Sequence, residues 1–139
     1  MIIIGLDNGI VLKTKNTIIE KPSWVKFIGN PAEHDDGSLE YDICYWRKCW
    51  NIREAIFNIL EDDDRREWEF ELSLNQVVAI RDRLCRFLTE GEDWEELGDS
   101  IWSFEEMIPV LTEDILNLSW LIGYMKKDVH AIVYFYDSY

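Results

Sequence analysis

The chain predicts a single α+β domain spanning residues 1 to 139: a mostly antiparallel sheet of about five strands with three helices packed mainly on one face. Three observations carry this. Short segments alternate apolar and polar residues, as half-buried strands do. Longer segments repeat apolar residues at intervals of three and four, and two of them open on a capping box of the form Ser-x-x-Gln or Ser-x-x-Glu. A length of 139 residues suits one domain with one core, to which seven Trp, six Tyr and six Phe bring large apolar surfaces.

Taken in order, Ile2 to Leu6 and Ile10 to Lys13 are apolar runs on either side of Asp7-Asn8-Gly9. Asn-Gly tolerates the positive φ angles of a type I′ turn, so a β-hairpin is expected there. Pro22, Gly29, Pro31 and Gly37 mark residues 14 to 38 as loop, apart from one short strand at Trp24 to Ile28. From Leu39 to Tyr45, Leu39, Tyr41, Ile43 and Tyr45 fall on one side and Glu40, Asp42 and Cys44 on the other, which predicts a strand feeding directly into a helix. That helix carries Cys49, Ile52, Ile56, Ile59 and Leu60 at helical spacing, and the acids Glu61 to Asp64 oppose its dipole and end it. Trp68, Phe70 and Leu72 alternate with Glu67, Glu69 and Glu71, as in a strand with one wet face. Ser73 with Gln76 caps the next helix, whose stripe is Val77, Ile80, Leu84, Phe87 and Leu88 and whose stop is Gly91. Ser103 with Glu106 caps the last helical region, which runs to Met125; Pro109 predicts a kink or a fresh start inside it. His130 to Tyr136, rich in Ile, Val, Tyr and Phe, reads as the final strand.

Twenty-eight acids against 14 bases give a net charge of −14, which argues against nucleic acid as a partner, since cations must displace counterions from a phosphate backbone. No apolar run approaches the ~20 residues that cross a bilayer, so no membrane partner is expected. The opening residues lack the basic n-region of a signal peptide. Three cysteines, odd in number and unpatterned, fit a reduced cytoplasmic setting. The charge is uneven: residues 1 to 32 hold four Lys against Asp7 and Glu20, whereas Phe87 through Met125 contains neither Lys nor Arg. Within that stretch Glu90, Glu92, Asp93, Glu95, Glu96, Asp99, Glu105 and Glu106 form a candidate face for a basic protein; the plainer reading is a solvated surface that maintains solubility.

The segment Tyr45-Trp46-Arg47-Lys48-Cys49-Trp50-Asn51-Ile52-Arg53 concentrates aromatics and cations in an acidic chain. If Trp46 and Trp50 share a helix face, then Tyr45, Trp46, Arg47, Lys48, Trp50 and Arg53 make a corner for a small anionic ligand. In the plainer reading the cations pair with the protein's own carboxylates and the tryptophans join the core. Ile4-Gly5-Leu6-Asp7-Asn8-Gly9 resembles the first hairpin of RNase H-like nucleases and actin-like ATPases, where an Asp at a strand end holds a divalent metal; Asp137 would then be a second ligand. An ordinary hairpin turn wants the same residues. His34 and His130 have no Cys or second His at ligand spacing, and Cys44, Cys49 and Cys85 suit a core. No Gly-rich phosphate cradle is present, and neither a cofactor nor a catalytic residue is expected.

Several strings together, Tyr45-Trp46-Arg47-Lys48 with Ile52 and Phe57, the Gln76-Val77 to Leu88 helix, Met107-Ile108-Pro109, Gly123-Tyr124-Met125 and the ending Val133-Tyr134-Phe135-Tyr136-Asp137-Ser138-Tyr139, resemble a group of small uncharacterised proteins. Phages and bacterial mobile elements encode that group. The similarity runs from about Leu39 to the end, and residues 1 to 38 are not placed by it. It implies a phage or prophage origin and a role in host takeover or counter-defence, and it transfers no functional residue. The expected function is therefore that of a non-enzymatic binding protein, acting on a basic protein through the acidic stretch, in its sharpest form as a DNA mimic, or on a small anion through the Tyr45 to Arg53 corner.

Overall fold

The computed structural model describes residues 7–16, 18–61, 68–90, 94 and 102–138. Five strands and three helices follow one another as β1 (Asp7–Thr14), β2 (Ile28–Glu33), β3 (Leu39–Arg47), α1 (Trp50–Leu60), β4 (Glu69–Glu71), α2 (Leu74–Glu90), α3 (Phe104–Lys127) and β5 (Ile132–Ser138). The strands lie in the order β2-β3-β1-β5-β4, and every neighbouring pair is antiparallel. The α+β class and strand number are those the periodicities predict.

The helices keep their sequence signatures. In α2 the Ser73 hydroxyl accepts from Gln76 N at 3.2 Å while the Gln76 side chain accepts from Ser73 N at 2.8 Å, and in α3 Ser103 and Glu106 do the same. Each box satisfies two of the amides that a helix start leaves without partners. The α1 helix stops at Leu60, and Glu61 turns into the left-handed region at φ 55°. Pro109 neither breaks nor restarts α3, which runs unbroken for 24 residues. Pro109 and Glu105 are both exposed, so the carbonyl that loses its amide partner faces water.

Three expectations about strands change. Asp7-Asn8-Gly9 is no turn: it lies inside β1, paired with Arg47 to Tyr45 of β3 on one side and Ser138 to Tyr136 of β5 on the other. Tertiary pairing overrides the local preference of Asn-Gly, because this segment is the middle strand of the sheet and both neighbours come from distant sequence. The run Ile2 to Leu6 lies outside the described residues, as does the stop at Gly91. The short strand expected at Trp24 to Ile28 forms later, at Ile28–Glu33, while Val25 N closes a turn on Pro22 O.

The third change concerns β3. Ile10 pairs with Cys44, but the next residue, Val11, pairs with Asp42, so Ile43 is an extra residue. This β-bulge shifts the alternation by one. Before it Leu39 and Tyr41 face the helices; after it Cys44 and Trp46 do, and Tyr45 turns outward with 40% exposure against 2% for Trp46. The carbonyl of Ile43 is taken by Asn117 of α3, whose Nδ2 donates to it at 3.1 Å. The same amide group bonds Lys26 N and O, tying the loop before β2 to the helix.

The core fills the inner face. Ile10, Leu12, Cys44 and Phe135 from the sheet meet Ile52, Ile56 and Phe57 of α1, and Leu111, Leu118 and Leu121 of α3, all fully or nearly fully buried. Phe57 packs edge-on against Phe70 and Phe135 with centroids 5.4 and 5.8 Å away, a favoured aromatic geometry. The α2 helix packs against α3 and α1 through Val77, Ile80, Leu84 and Phe87. Among the described residues no helix is long and apolar enough to cross a membrane.

Candidate functional site

The bulge divides the corner expected from Tyr45 to Arg53. Trp46 enters the core, and its Nε1–H donates to Asp114 Oδ2 at 2.7 Å. Arg53 is also buried: Nε and Nη2 grip the two oxygens of Asp137 at 2.9 and 3.0 Å, and its guanidinium stacks near Phe57 and Trp50 at 4.9 and 5.4 Å from their centroids. Asn8 Nδ2 adds a third bond to Asp137 at 2.6 Å. Fork-on-carboxylate pairing inside aromatic walls fixes α1 to β1 and β5. Arg53 is thus committed to a protein carboxylate. Lys48 forms the link between β3 and α1, at φ 52°. Tyr45 and Arg47 point to the opposite side of the sheet from Trp46, and a groove of about 230 Å³ is lined by parts of Tyr45, Trp46 and Arg47 together with Trp102, Met107 and Val110. Lys48, Trp50 and Arg53 do not line it. Trp102 closes over it by donating from Nε1 to Arg47 O at 2.7 Å.

Of the acidic stretch, Glu92, Asp93, Glu95, Glu96 and Asp99 lie outside the described residues. Glu90, Glu105 and Glu106 are exposed, and the Glu106 carboxylate is engaged in capping Ser103. Asp114, in the same stretch, is 5% exposed. Burial raises its carboxyl from 3.8 to about 7, against the lowering effect of hydrogen bonds from Trp46 and Cys44. Burial and the neighbouring Asp114 in turn push the Cys44 thiol well up, away from the thiolate a nucleophile needs.

Asp7 and Asp137 do not converge. Asn8, not Asp7, stands opposite Asp137 in the ladder, so Asp137 faces the helices while Asp7 faces outward to accept from Tyr45 OH at 2.8 Å. Asp137 is saturated by Arg53 and Asn8. The geometry of a two-carboxylate metal site at this place is therefore missing.

The sheet's outer face is where the structure assembles something the sequence did not single out. Residues opposite one another share a face, so the pairing gives three rows: Tyr45, Gly9, Tyr136 and Glu69; Asp42, Val11, Tyr134 and Glu71; Glu40, Lys13 and Ile132. Arg47 and Asp7 extend the face at one end. The Tyr136 ring comes so close to Gly9 that a Cβ there would sit 2.5 Å from it, and a larger residue would force the ring aside. Tyr134 donates its hydroxyl to Glu40. Burial and the surrounding carboxylates raise both Tyr134 and Tyr136, so they stay neutral. Burial and Glu40 likewise raise the Asp42 carboxyl from its ordinary value. The outward row of Glu69 and Glu71 was visible as alternation. Tyr45 and Asp7 were not, because the bulge and the continuous β1 could not be seen in the sequence.

In comparisons with family models, curated proteins and solved structures, the chain matches none.

Proposed function

We propose that this protein binds a basic protein partner through the outer face of its sheet. One observation carries the reading. Asp7, Glu40, Asp42, Glu69 and Glu71 share a rigid face with the phenols of Tyr45, Tyr134 and Tyr136, and among the described residues the cations that the strand pairing places beside them are Lys13 and Arg47. Lys13 is partly occupied, with its ammonium 3.9 Å from Asp36. Five carboxylates set against Lys13, Arg47 and the His34 imidazole, 3.3 Å from Glu40, favour an incoming positive charge, and phenol rings beside them offer cation–π contact to lysine or arginine. The backbone of a five-stranded sheet fixes the spacing, so little ordering cost opposes binding.

In this reading the partner meets the sheet, while the acidic stretch from residue 87 to 125 serves as a solvated surface. In its sharper form, in keeping with the resemblance to phage and mobile-element proteins, the face imitates the anionic surface that a DNA-binding host protein recognises. Calorimetric titration with an oligo-arginine peptide at low ionic strength tests the reading. The double charge reversal Glu69→Lys/Glu71→Lys should weaken binding at least about tenfold, whereas Glu90→Lys/Glu105→Lys should leave it nearly unchanged. Equal loss from both pairs, or no binding by the unmodified chain, would refute it.

A further inference from the structure

A second place in the molecule has the opposite character. Where β1, the β2–β3 turn and the α3–β5 loop meet at one end of the sheet, they enclose a cleft of about 440 Å³. Lys13, Lys15 and His130 line it, an unusual gathering of basic side chains in a chain of net charge −14.

Two carboxylates also line the cleft, and both are turned to internal work. Asp36 Oδ1 accepts from Ser38 N at 2.9 Å and from Ser38 Oγ at 2.5 Å, and these bonds hold its carboxyl down at about 2. Asp128 Oδ2 accepts from Thr14 Oγ1 at 2.9 Å, Tyr124 OH at 2.9 Å and Asn16 Nδ2 at 3.2 Å, while Oδ1 takes His130 N at 3.2 Å. These acids shape the loops. The cations are held more loosely: Lys13 reaches Asp36 at 3.9 Å, Lys15 lies exposed at the rim and acts on Asp36 through its charge, and His130 acts in the same way on Asp128.

The cleft continues into a hollow on the side of α3, sharing Asn16 and Asp128 with it. Lys127 lines this extension, as does Trp120, stacked on Tyr124 with centroids 5.3 Å apart and planes 23° from parallel.

From this arrangement we infer a binding site for a small phosphate ester. The phosphate sits among Lys13, Lys15 and His130, and a flat organic body lies against Trp120. Lysine ammonium groups act as point charges suited to a phosphate, whose near-double negative charge gains more from two lysines than the single charge of a carboxylate does. The volume is that of a small-ligand pocket. The surrounding acidity excludes a long polyanion and still admits one phosphate held locally. The site borders the protein-binding face, with Lys13 and Ile132 common to both, and its test reads phosphate binding rather than protein binding.

NMR tests it on the full chain, because only two histidine rings contribute signals. At fixed ionic strength, inorganic phosphate and phenyl phosphate should shift the His130 ring saturably, phenyl phosphate at lower concentration, and acetate should not. Lys13→Gln/Lys15→Gln should weaken phosphate at least about tenfold, as expected for losing charge-assisted bonds. Asp36→Asn, which removes the carboxylate nearest Lys13, should tighten it. Lys15 is exposed, so Lys15→Gln alone, checked for an unchanged melting curve, gives the same reading if the double variant unfolds. An equal response to acetate and phosphate, a shift that never saturates, or a Lys15→Gln chain that binds as before would overturn the assignment.

Discussion

Replacing Asp114 by Asn removes the one described carboxyl that the fold holds near neutrality. Asp114 is raised from 3.8 to about 7 by burial. In the folded protein it keeps its proton over a range where the unfolded chain has lost it. Its contribution to stability is therefore greatest below about pH 4, falls as pH rises toward 7, and is gone above that. Full ionisation of the folded group costs about 4 kcal/mol, at about 1.4 kcal/mol per pH unit; between pH 5.5 and 8.5 the loss is about 2 kcal/mol. An Asn side chain imitates the protonated acid. Its oxygen still accepts from Trp46 and its amide turns to Cys44. Urea unfolding followed by tryptophan fluorescence at several pH values measures the difference directly. Asp114→Asn should be the more stable at both ends of this range, and its advantage should grow by about 2 kcal/mol between pH 5.5 and pH 8.5. The other acids titrate in both proteins and cancel in the difference. Parallel stability curves from pH 5.5 to 8.5 would refute the account of Asp114.

Other residues give equally direct tests. Arg53→Met leaves Asp137 buried without its guanidinium and should cost about 3–5 kcal/mol in equilibrium unfolding, with partial recovery in Arg53→Met/Asp137→Leu. Asn117→Ala orphans the Ile43 carbonyl and the Lys26 backbone and should cost about 1–3 kcal/mol by the same assay. Gly9→Ala drives a methyl group into the Tyr136 ring; a loss of about 1–3 kcal/mol that shrinks when combined with Tyr136→Ala would show the ring to be the obstacle. Glu61→Gly frees the left-handed cap of α1 from its side chain and removes an acid from a helix C-terminus, so the melting temperature should rise, in line with a gain of about 1 kcal/mol.

The helices were legible in the sequence because what makes a helix is local. Ser73 and Gln76, or Ser103 and Glu106, lie three residues apart and form their bonds whatever surrounds them, and a 3.6-residue stripe needs only its own spacing to be recognised. The strands at Leu39, Trp68 and the C-terminus were legible in the same way, within a residue or two. What neighbouring residues could not decide was pairing. Asp7-Asn8-Gly9 carries every local mark of a turn, yet the partners that make it a central strand are Tyr45 to Arg47 and Tyr136 to Ser138, as far away as the side-chain bonds of Tyr45 to Asp7 and of Asn8 to Asp137, which span 38 and 129 positions. Ile43 fits perfect alternation, and only its antiparallel neighbour shows that it is one residue too many. That one residue sends Trp46 inward and Tyr45 outward. It divides the candidate anion corner, gives Asp114 its buried partner, and completes an acidic, phenol-lined face. Composition alone determined that the chain is acidic and globular; where the charges meet was settled by strand register, because a period of two turns a shift of one residue into a change of face.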